Sequence, residues 1–413
     1  MTSLGHLNEV VDWSLLFYFL FFAVLPIFLL FKIPTTKSKF KLHFIAFAAC
    51  ILLIFYAIFP RQIFNYSFTN YSPINYLGSS VKYFQRFHQN VKIAKNRHDL
   101  EYQFNYQKQL ENLNVILILG ESLRADHLWL NGYERQTTPN LSKLKNLINL
   151  TAQASFNTTS YSVTSIMSHR TKADFMEIPY EKSIVSVFKN LGFNTFWYSA
   201  QSSKEFGNGM LNIMAMESDH YFFRDHLALN NEKIYDAALL PELAKALKTS
   251  GNNFIVLHSF GSHIRFHERY PQEFAKFTPE CFLSPDVCDK ESLINSYDNS
   301  ILYSDYFLNE VFSMLKNTNS LVIFVSDHGV FLGENGVYAN GNLDQISSTI
   351  HKVPLMMFMS DNLLKNKFYQ QKFSHAKRHL KSQNLSHDNV FDSLLDCAGV
   401  ESTLLNRKLS ICQ

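Results

Sequence analysis

The sequence predicts an α/β protein with a mostly parallel sheet flanked by helices and preceded by two transmembrane helices. Three observations predict this class. Two long apolar runs lie in the first sixty residues, strand-like and helix-like stretches alternate after residue 112, and the strand-like runs 114–120 and 321–326 are each followed by an acidic residue. Alternating stretches are typical of βαβ units, whose parallel strands are covered by helices on both faces.

Length and charge narrow the class of protein. The 413 residues exceed one ordinary domain, and a formal net charge of +3 is too small to favour binding to DNA or RNA. We therefore expect no nucleic-acid partner. Aromatic residues make up 15% of the chain and include 38 Phe, many of them near the N-terminus.

The N-terminal segment, residues 1–60, predicts two transmembrane helices. Residues 13–31 and 42–59 contain no Asp, Glu, Lys or Arg, and either stretch can cross a hydrocarbon core of roughly 30 Å at 1.5 Å per residue. The loop 32–41 carries four lysines, whereas no Lys or Arg precedes the first stretch. By the positive-inside rule this loop is cytoplasmic, and the rest of the chain lies outside.

Two alternatives exist for these apolar stretches. A cleaved signal peptide is disfavoured for the first, because a signal peptide begins with positive charge and this segment carries Glu9 and Asp12. Buried helices of a soluble core are the alternative for both. Two such stretches separated by a lysine-rich loop are uncommon in soluble domains.

The remainder divides into a bridge and an outer domain. Residues 61–112 are polar with scattered apolar and aromatic side chains, which predicts an amphipathic segment at the membrane interface or a plain solvated linker. Residues 113–413 form the predicted α/β domain. Its strand-like and helix-like stretches are 115–119, 143–150, 184–191, 195–199, 232–248, 254–259, 290–316 and 321–326.

Five cysteines bear on the redox compartment. Cys50 lies in the second predicted span, which leaves Cys281, Cys288, Cys397 and Cys412 in the outer domain with three possible pairings. The loop between Cys281 and Cys288 is short and turn-rich, so we prefer a disulfide between these two. An oxidising compartment agrees with the topology, and free thiols are the alternative.

Metal-competent side chains follow two predicted strands. Glu121 follows the strand 114–120, and Asp327 and His328 follow the strand 321–326. Ligands collect beyond the carboxyl ends of parallel strands. Two carboxylates and one imidazole suit zinc when the fourth position is kept for substrate or nucleophile. Ordinary turn residues are the alternative for each strand end taken alone.

Two further segments offer groups that a metal centre can use. The run 157–165 holds many hydroxyls just before a helix-like stretch, although an ordinary Ser/Thr-rich loop also fits. His258 and His263 follow the third strand, 254–257. Either histidine could be a second metal ligand or a proton donor to a leaving group, or a satisfied structural residue.

The motifs resemble those of the bacterial phosphoethanolamine transferases, inner-membrane enzymes of the alkaline phosphatase/sulfatase superfamily that decorate lipopolysaccharide. The resemblance covers roughly residues 10–400. The segments that carry it, in order and spacing, are 120–127, 131–135, 138–139, 258–263, 269–271, 277–281, 326–329 and 332–338.

The resemblance implies roles for individual residues. It implies that Glu121, Asp327 and His328 bind zinc and that Thr159 is the nucleophile, also in contact with the metal. It further implies that His263 contacts the phosphoethanolamine group or a second zinc. The set expected to bind substrate comprises His258, His263, Lys204 and Asn340.

The resemblance also implies an activity and partners. Phosphoethanolamine would move from phosphatidylethanolamine to lipid A or a core sugar of lipopolysaccharide through an ester on Thr159. The enzyme would be a monomer in the bacterial inner membrane with residues 113–413 as its periplasmic catalytic domain. The alternatives are a zinc-dependent phosphatase or sulfatase-like hydrolase, and a truncated, inactive protein that only binds lipid.

The sequence departs from the family pattern at several positions. A cysteine pair around the nucleophile reads Ser155 and Ser165 here. A family histidine is replaced by Asn340 and the usual acid after Asp-His-Gly by Val330, so one zinc is expected and a second is in doubt. The family usually has five membrane spans and this chain begins near the fourth, which suggests a truncated form, a fragment or a misplaced start.

Overall fold

The outer domain is organised around one central sheet, as described here in a computed structural model of the chain. The structure describes residues 92, 96–174, 179–203, 209–223, 233–340, 348–381 and 384–413, which belong to one compact unit, residues 90–413. The spans predicted at 13–31 and 42–59 lie outside the described residues. Within the described ranges, no helix combines the length and apolar character needed to cross a bilayer.

Most of the strands come from apolar runs of the sequence. In the described residues they are β1 (Phe104–Tyr106), β2 (Leu113–Gly120), β3 (Leu147–Gln153), β4 (Asn194–Ser199), β5 (His220–Phe223), β6 (Asn253–His258), β7 (Asn319–Ser326), β8 (Phe331–Leu332), β9 (Tyr338–Ala339), β10 (Lys352–Met359), β11 (Leu385–Ser386) and β12 (Val400–Ser402).

Eight of these strands form the central sheet, in the spatial order β11, β3, β10, β7, β2, β6, β4, β5. β10 pairs antiparallel with both of its neighbours, whereas every other pairing in the sheet is parallel. The sheet is therefore mixed, with one reversed strand, rather than purely parallel. Two small antiparallel pairs, β1 with β12 and β8 with β9, complete the strands.

Helices cover the sheet. They are α1 (Thr159–Met167), α2 (Ile184–Asn190), α3 (Gly209–Ala215), α4 (Leu240–Ala246), α5 (Lys290–Leu315), α6 (Ser348–His351), α7 (Lys367–Arg378) and α8 (Asp388–Ala398). Ser183, Asp289 and Asn366 cap α2, α5 and α7 by accepting a hydrogen bond from a backbone N–H of the first turn. Such caps satisfy donors that a helix start leaves free.

Both faces of the sheet are buried under apolar side chains. On β2, Val115 and Leu117 join a cluster that includes side chains of α1, α2 and α8. Ile116 and Ile118 join a second cluster, which includes side chains of α4 and α5. All eight residues of β2 are buried, as expected for a central strand of a parallel sheet covered on both sides.

The strand register determines which residues meet at one edge of the sheet. Gly120 of β2 pairs with Ser326 of β7, and Leu119 pairs with His258 of β6. Because β2 and β7 run parallel and in register, the next residue of each, Glu121 and Asp327, leaves the sheet beside the other. We call this side of the sheet the metal edge.

Most of the predicted stretches correspond to single elements. Strands β2, β4, β6 and β7 correspond, to within two residues, to the predicted stretches 115–119, 195–199, 254–259 and 321–326. Helices α2 and α5 correspond in the same way to the stretches 184–191 and 290–316. The stretch 143–150 is divided between the 3-10 turn Leu141–Lys143 and β3. β3 alternates half-buried and buried side chains, because one of its faces packs on the core less completely than the central strands do.

Part of the predicted bridge packs on the domain. Arg97 is buried and forms an ion pair with Glu217. It also donates to the carbonyl oxygens of Pro179 at 3.0 Å and Glu181 at 2.7 Å. β1, a few residues later, pairs with β12. The chain from Arg97 onward is thus attached to the domain, and the boundary near residue 112 remains a prediction.

Disulfides join Cys281 to Cys288 and Cys397 to Cys412. The first closes a surface loop just before α5. The second ties α8 to the last residues of the chain, and both of its cysteines are fully buried. The two bridges close loops of different length, with sequence separations of 7 and 15.

We expect the Cys397–Cys412 bridge to contribute more to stability than the Cys281–Cys288 bridge. On the chain-entropy model the longer loop contributes about 3 kcal/mol and the shorter one about 2.4 kcal/mol. Denaturant unfolding of Cys397→Ala/Cys412→Ala and of Cys281→Ala/Cys288→Ala in detergent measures both free energies. Removal of the buried Cys397–Cys412 bridge should lower the free energy of unfolding more than removal of the Cys281–Cys288 bridge. An equal or reversed order of the two losses would contradict the expectation.

Candidate metal centre

Four predicted residues come together at the metal edge. Glu121 and Asp327 follow β2 and β7, His328 follows Asp327, and Thr159 is the first residue of α1. One ligand atom from each of Glu121, Asp327 and His328 lies within 4.8 Å of the others, and all three residues are buried. Among the described residues this is the one group of three that could hold a metal ion.

The ring of His328 presents one nitrogen to the carboxylates. Its Nδ1 donates to the carbonyl oxygen of Gly329 at 2.7 Å. Nε2 then lies 3.6 Å from Glu121 Oε1 and 3.3 Å from Asp327 Oδ2. A backbone carbonyl on one ring nitrogen leaves the other free to bind a metal, which is the usual arrangement of a metal-binding histidine.

Asp327 has one satisfied oxygen and one that accepts no hydrogen bond. Oδ1 accepts from the backbone N–H of Ser122 at 3.0 Å and of His328 at 2.7 Å. Oδ2 is buried and has no hydrogen-bond partner. A buried carboxylate oxygen without a donor is costly. A cation between Asp327, Glu121 and His328 would remove that cost, so the donor set fits zinc.

The pKa values reflect two carboxylates beside one imidazole. Burial alone would raise the pKa of Glu121, but the positive charge of His328 is the largest opposing effect, and the pKa of Glu121 is about 2. Burial and the charge of Glu121 raise the pKa of Asp327 to about 7. Burial would lower the pKa of His328, but Asp327 and Glu121 raise it. The cluster therefore attracts positive charge.

Thr159 places a hydroxyl in this cluster. Its Oγ1 donates to Glu121 Oε2 at 2.9 Å and lies 3.3 Å from His328 Nε2. Thr158 precedes it in an extended conformation at the N-cap of α1. The neighbouring hydroxyls of Ser162 and Thr164 bond to backbone carbonyls instead. Of these four residues, Thr159 is the one whose side chain bonds to a side chain of the cluster.

Gln201, which was not predicted, contacts the same carboxylate. Its Nε2 donates to Glu121 Oε2 at 3.0 Å and to the carbonyl oxygen of Ser259 at 3.1 Å. Its backbone N–H donates to Ser199 Oγ at 3.1 Å, and that hydroxyl lies 3.0 Å from His258 Nδ1. A hydrogen-bonded series thus runs from His258 to Glu121. The sequence feature that could have identified Gln201 is its position just after β4, at the metal edge.

Asp236 supports the loop after β6 and was also not predicted. Its buried carboxylate accepts from the backbone N–H of Phe260 at 2.6 Å and of Gly261 at 3.0 Å. Gly261 has φ +45°, and a Cβ there would lie 2.7 Å from the carbonyl oxygen of Glu121. Burial raises the pKa of Asp236 to about 6. The loop can approach Glu121 this closely because residue 261 is glycine.

Tyr297 of α5 supports the loop after β2. Its hydroxyl accepts from the backbone N–H of Arg124 at 2.9 Å and donates to the carbonyl oxygen of Ser122 at 2.8 Å. Tyr297 is fully buried, so these two bonds connect a core helix directly to the residues that follow Glu121.

His387 joins the segment before Thr159 to the strand before Asp327. Its Nδ1 accepts from the backbone N–H of Ser155 at 3.2 Å, and its Nε2 donates to the carbonyl oxygen of Ser326 at 2.9 Å. Burial lowers its pKa to about 3, so the ring is neutral at neutral pH. The hydroxyl of Ser165 donates to that of Ser155 at 3.3 Å, at the positions of the family's cysteine pair.

The predicted substrate residues lie in different surroundings. His258 is buried, its Nε2 has no hydrogen-bond partner, and burial lowers its pKa to about 4. His263 is half-buried and its ring stacks on Phe260 at 5.2 Å. Burial lowers the pKa of His263, and the negative charge of Glu121 only partly opposes this effect. Neither histidine belongs to the group of three possible metal ligands.

The other two predicted substrate residues are less informative. Asn340 is half-buried, and its carbonyl oxygen accepts from Asn157 Nδ2 at 2.8 Å. Val330, in place of the family's acid, is buried in the core, and its carbonyl oxygen accepts from Arg124. Lys204 lies outside the described residues.

Comparison with known proteins shows the family of the chain. The family model described as Sulfatase matches residues 113–400. The chain is 30% identical over 386 residues to the phosphoethanolamine transferase EptA of Helicobacter pylori, which covers 86% of this chain and 69% of that protein. It is 30% identical over 304 residues to the Kdo(2)-lipid A phosphoethanolamine 7''-transferase of Salmonella typhimurium, which covers 71% of this chain and 53% of that protein.

A solved structure extends the comparison to the fold. The soluble domain of lipooligosaccharide phosphoethanolamine transferase A from Neisseria meningitidis is 27% identical and superimposes with a TM-score of 0.69, covering 76% of this chain and 96% of that domain. The chain spans about half the length of the Salmonella relative, 53%. By its match over residues 113–400 and its likeness to these relatives, the chain belongs to the sulfatase family and, within it, to the phosphoethanolamine transferases.

Proposed function

We propose that the protein transfers phosphoethanolamine from phosphatidylethanolamine to lipopolysaccharide, on lipid A or a core sugar. The observation that carries this proposal is the hydroxyl of Thr159, 2.9 Å from Glu121 Oε2 and 3.3 Å from His328 Nε2. A covalent transferase needs a side-chain hydroxyl at the metal to carry the transferred group, and Thr159 supplies one. The Salmonella relative is named for transfer to Kdo(2)-lipid A, which supports the acceptor class.

The proposed reaction has two displacements at phosphorus. Thr159 Oγ1 attacks the phosphorus of phosphatidylethanolamine, the bond to the glycerol oxygen breaks, and diacylglycerol leaves with one proton. A hydroxyl or phosphate oxygen of the acceptor then attacks the phosphothreonine, and Thr159 regains its hydroxyl. Each step breaks one P–O bond and forms another, so no oxidant or reductant is needed.

The chain's own residues would prepare this chemistry. A zinc ion held by Glu121, Asp327 and His328 would supply a Lewis acid that lowers the pKa of a bound hydroxyl. Glu121 Oε2, itself held by Gln201, orients the Thr159 hydroxyl. Because burial lowers its pKa, His263 is neutral at neutral pH and can donate one hydrogen bond to a phosphate oxygen.

The proposal includes a location. We expect the protein to be a monomer in the bacterial inner membrane, with its outer domain in the periplasm. The lysine-rich loop 32–41 between the two predicted spans supports this orientation, as do the disulfides Cys281–Cys288 and Cys397–Cys412, which persist in oxidising compartments.

Thr159 should carry the covalent phosphoethanolamine. After incubation of the purified chain with phosphatidylethanolamine, peptide mass analysis should find the adduct on Thr159, and Thr159→Ala should lose both the adduct and the release of diacylglycerol. Thr158→Ala is the matched control, because Thr158 is the extended residue before α1 and its side chain does not cap the helix, and it should retain both. An adduct on Thr158, or turnover without any adduct, would overturn the assignment, and the latter would favour a hydrolase.

Asp327→Asn should abolish zinc-dependent stabilisation without destabilising the metal-free protein. The amide keeps the acceptor for Ser122 and His328 but removes one of two adjacent buried negative charges. Thermal unfolding with zinc and with chelator should show a zinc-induced rise in Tm for the wild type and none for the variant. Asp126→Asn, in the loop after β2 but outside the donor group, should keep the rise. Undiminished zinc binding by Asp327→Asn would remove Asp327 from the site.

The protein should hold one zinc ion per chain. Asn340 and Val330 replace the histidine and the acid expected at a second position, and neither is a good zinc ligand. Metal analysis of the purified chain should give a stoichiometry near one, and Asn340→His with Val330→Glu should raise it. Two zinc ions in the wild type near His263 would show that the second position does not depend on these residues.

A further inference from the structure

The disulfide loop before α5 exposes three large apolar side chains. Phe282, Leu283 and Val287 are 64%, 62% and 65% exposed. They lie within seven residues of one another in the loop closed by Cys281 and Cys288. Single exposed apolar residues are common, but a group of this kind on one short loop marks a contact surface. We call Phe282, Leu283 and Val287 the apolar tip.

The loop that carries the apolar tip is anchored at both ends. The backbone N–H of Cys281 donates to Ser296 Oγ at 2.7 Å, and Cys281 is buried in the core. Asp289 caps α5 by accepting from the backbone N–H of Ser292 at 2.9 Å. Little conformational freedom is left for this loop to lose on binding, which favours association.

The apolar tip lies on the same side of the domain as the metal edge. Tyr297, in the third turn of α5, bonds to Ser122 and Arg124 at the level of the metal ligands. The residues of α5 before Tyr297 add roughly 10 Å at 1.5 Å per residue, and the disulfide loop precedes them. The loop also contacts the segment after β6, because the rings of Phe282 and His267 are 5.2 Å apart.

The charges beside the apolar tip do not favour an anionic surface. Along the chain, Asp286, Asp289 and Glu291 outnumber Lys290 around the end of the loop. Next to His267, the positive charges of Lys233 and Arg269 are accompanied by the negative charge of Glu268. Attraction to anionic lipid requires clustered Lys or Arg. The tip's own area is also small: three side chains expose much less than the roughly 800 Å² per partner that a stable protein interface buries. A neutral lipid surface fits both observations.

We propose that the apolar tip inserts into the interface of a zwitterionic phospholipid bilayer and holds the metal edge against that surface. This inference rests on the proposed function, whose donor is a membrane lipid. The tip supplies apolar contact where the substrate headgroup must enter. Binding comes from burial of Phe282, Leu283 and Val287, so added anionic lipid does not strengthen it.

Insertion is measured by tryptophan fluorescence of the full chain in phosphatidylcholine and phosphatidylethanolamine vesicles. Phe282→Trp should add a signal, over the wild-type background, that is quenched at least twofold by lipids brominated on the acyl chains. Met216→Trp is the matched control: Met216 is 63% exposed, but it precedes β5 and so lies at the opposite edge of the sheet. Its signal should not be quenched. Equal quenching at both positions, or none at 282, would overturn the proposal.

Activity gives an independent readout. Phe282→Ser/Leu283→Ser/Val287→Ser should slow transfer from vesicle phosphatidylethanolamine by about tenfold or more, and leave turnover of a water-soluble phosphoethanolamine ester unchanged. Met216→Ser/Leu380→Ser, with two exposed apolar residues outside the tip, should leave both rates unchanged. Unchanged vesicle activity of the triple variant would overturn the proposal.

Two further outcomes separate the alternatives. If the wild type turns over neither substrate while the added signal of Phe282→Trp is still quenched, the proposed function fails and the membrane contact stands. If that signal is not quenched and the triple variant changes the size of the protein in solution, the tip contacts a second copy of the chain, and the bilayer assignment is wrong.

Discussion

The parallel pairing of β2 with β7 places two carboxylates side by side in a buried site, and much of the domain serves that placement. With Gly120 opposite Ser326, Glu121 and Asp327 emerge together at the metal edge. Two buried negative charges at this separation repel each other, and each has lost its hydration. A protonated His328 or a cation between the two carboxylates relieves this repulsion, as does a proton on Asp327, whose pKa is raised to about 7.

Hydrogen bonds from residues outside the candidate ligand set hold the two carboxylates and their loops in place. The side chain of Gln201 donates a hydrogen bond to the carboxylate of Glu121. Asp236 instead holds the loop after β6, which touches the backbone of Glu121. Tyr297 fixes the residues that follow it. A metal site assembled this way needs little rearrangement on loading, because the loops are already bound to α5, β4 and the segment after β6.

The sequence predicted the elements that depend on local pattern and missed those that depend on contact. The apolar runs before Glu121 and Asp327 predicted β2 and β7, and hence the cluster. β10 was not among the predicted stretches, and its reversed direction depends on the path of the chain between β7 and β10. Gln201 and Asp236 act across separations of 80 and 24 residues. Nothing in the neighbouring residues of either one indicates those partners.

The contacts of His387 have a consequence for when the site becomes complete. This ring joins the segment before Thr159 to the strand that precedes Asp327, yet it lies more than 260 residues after Glu121. A growing chain that has not yet delivered His387 lacks the bond between these two parts. The segment that leads to Thr159 then lacks this attachment to the strand that leads to Asp327. The arrangement of Thr159 with Glu121 and Asp327 is therefore completed late in the synthesis of the chain.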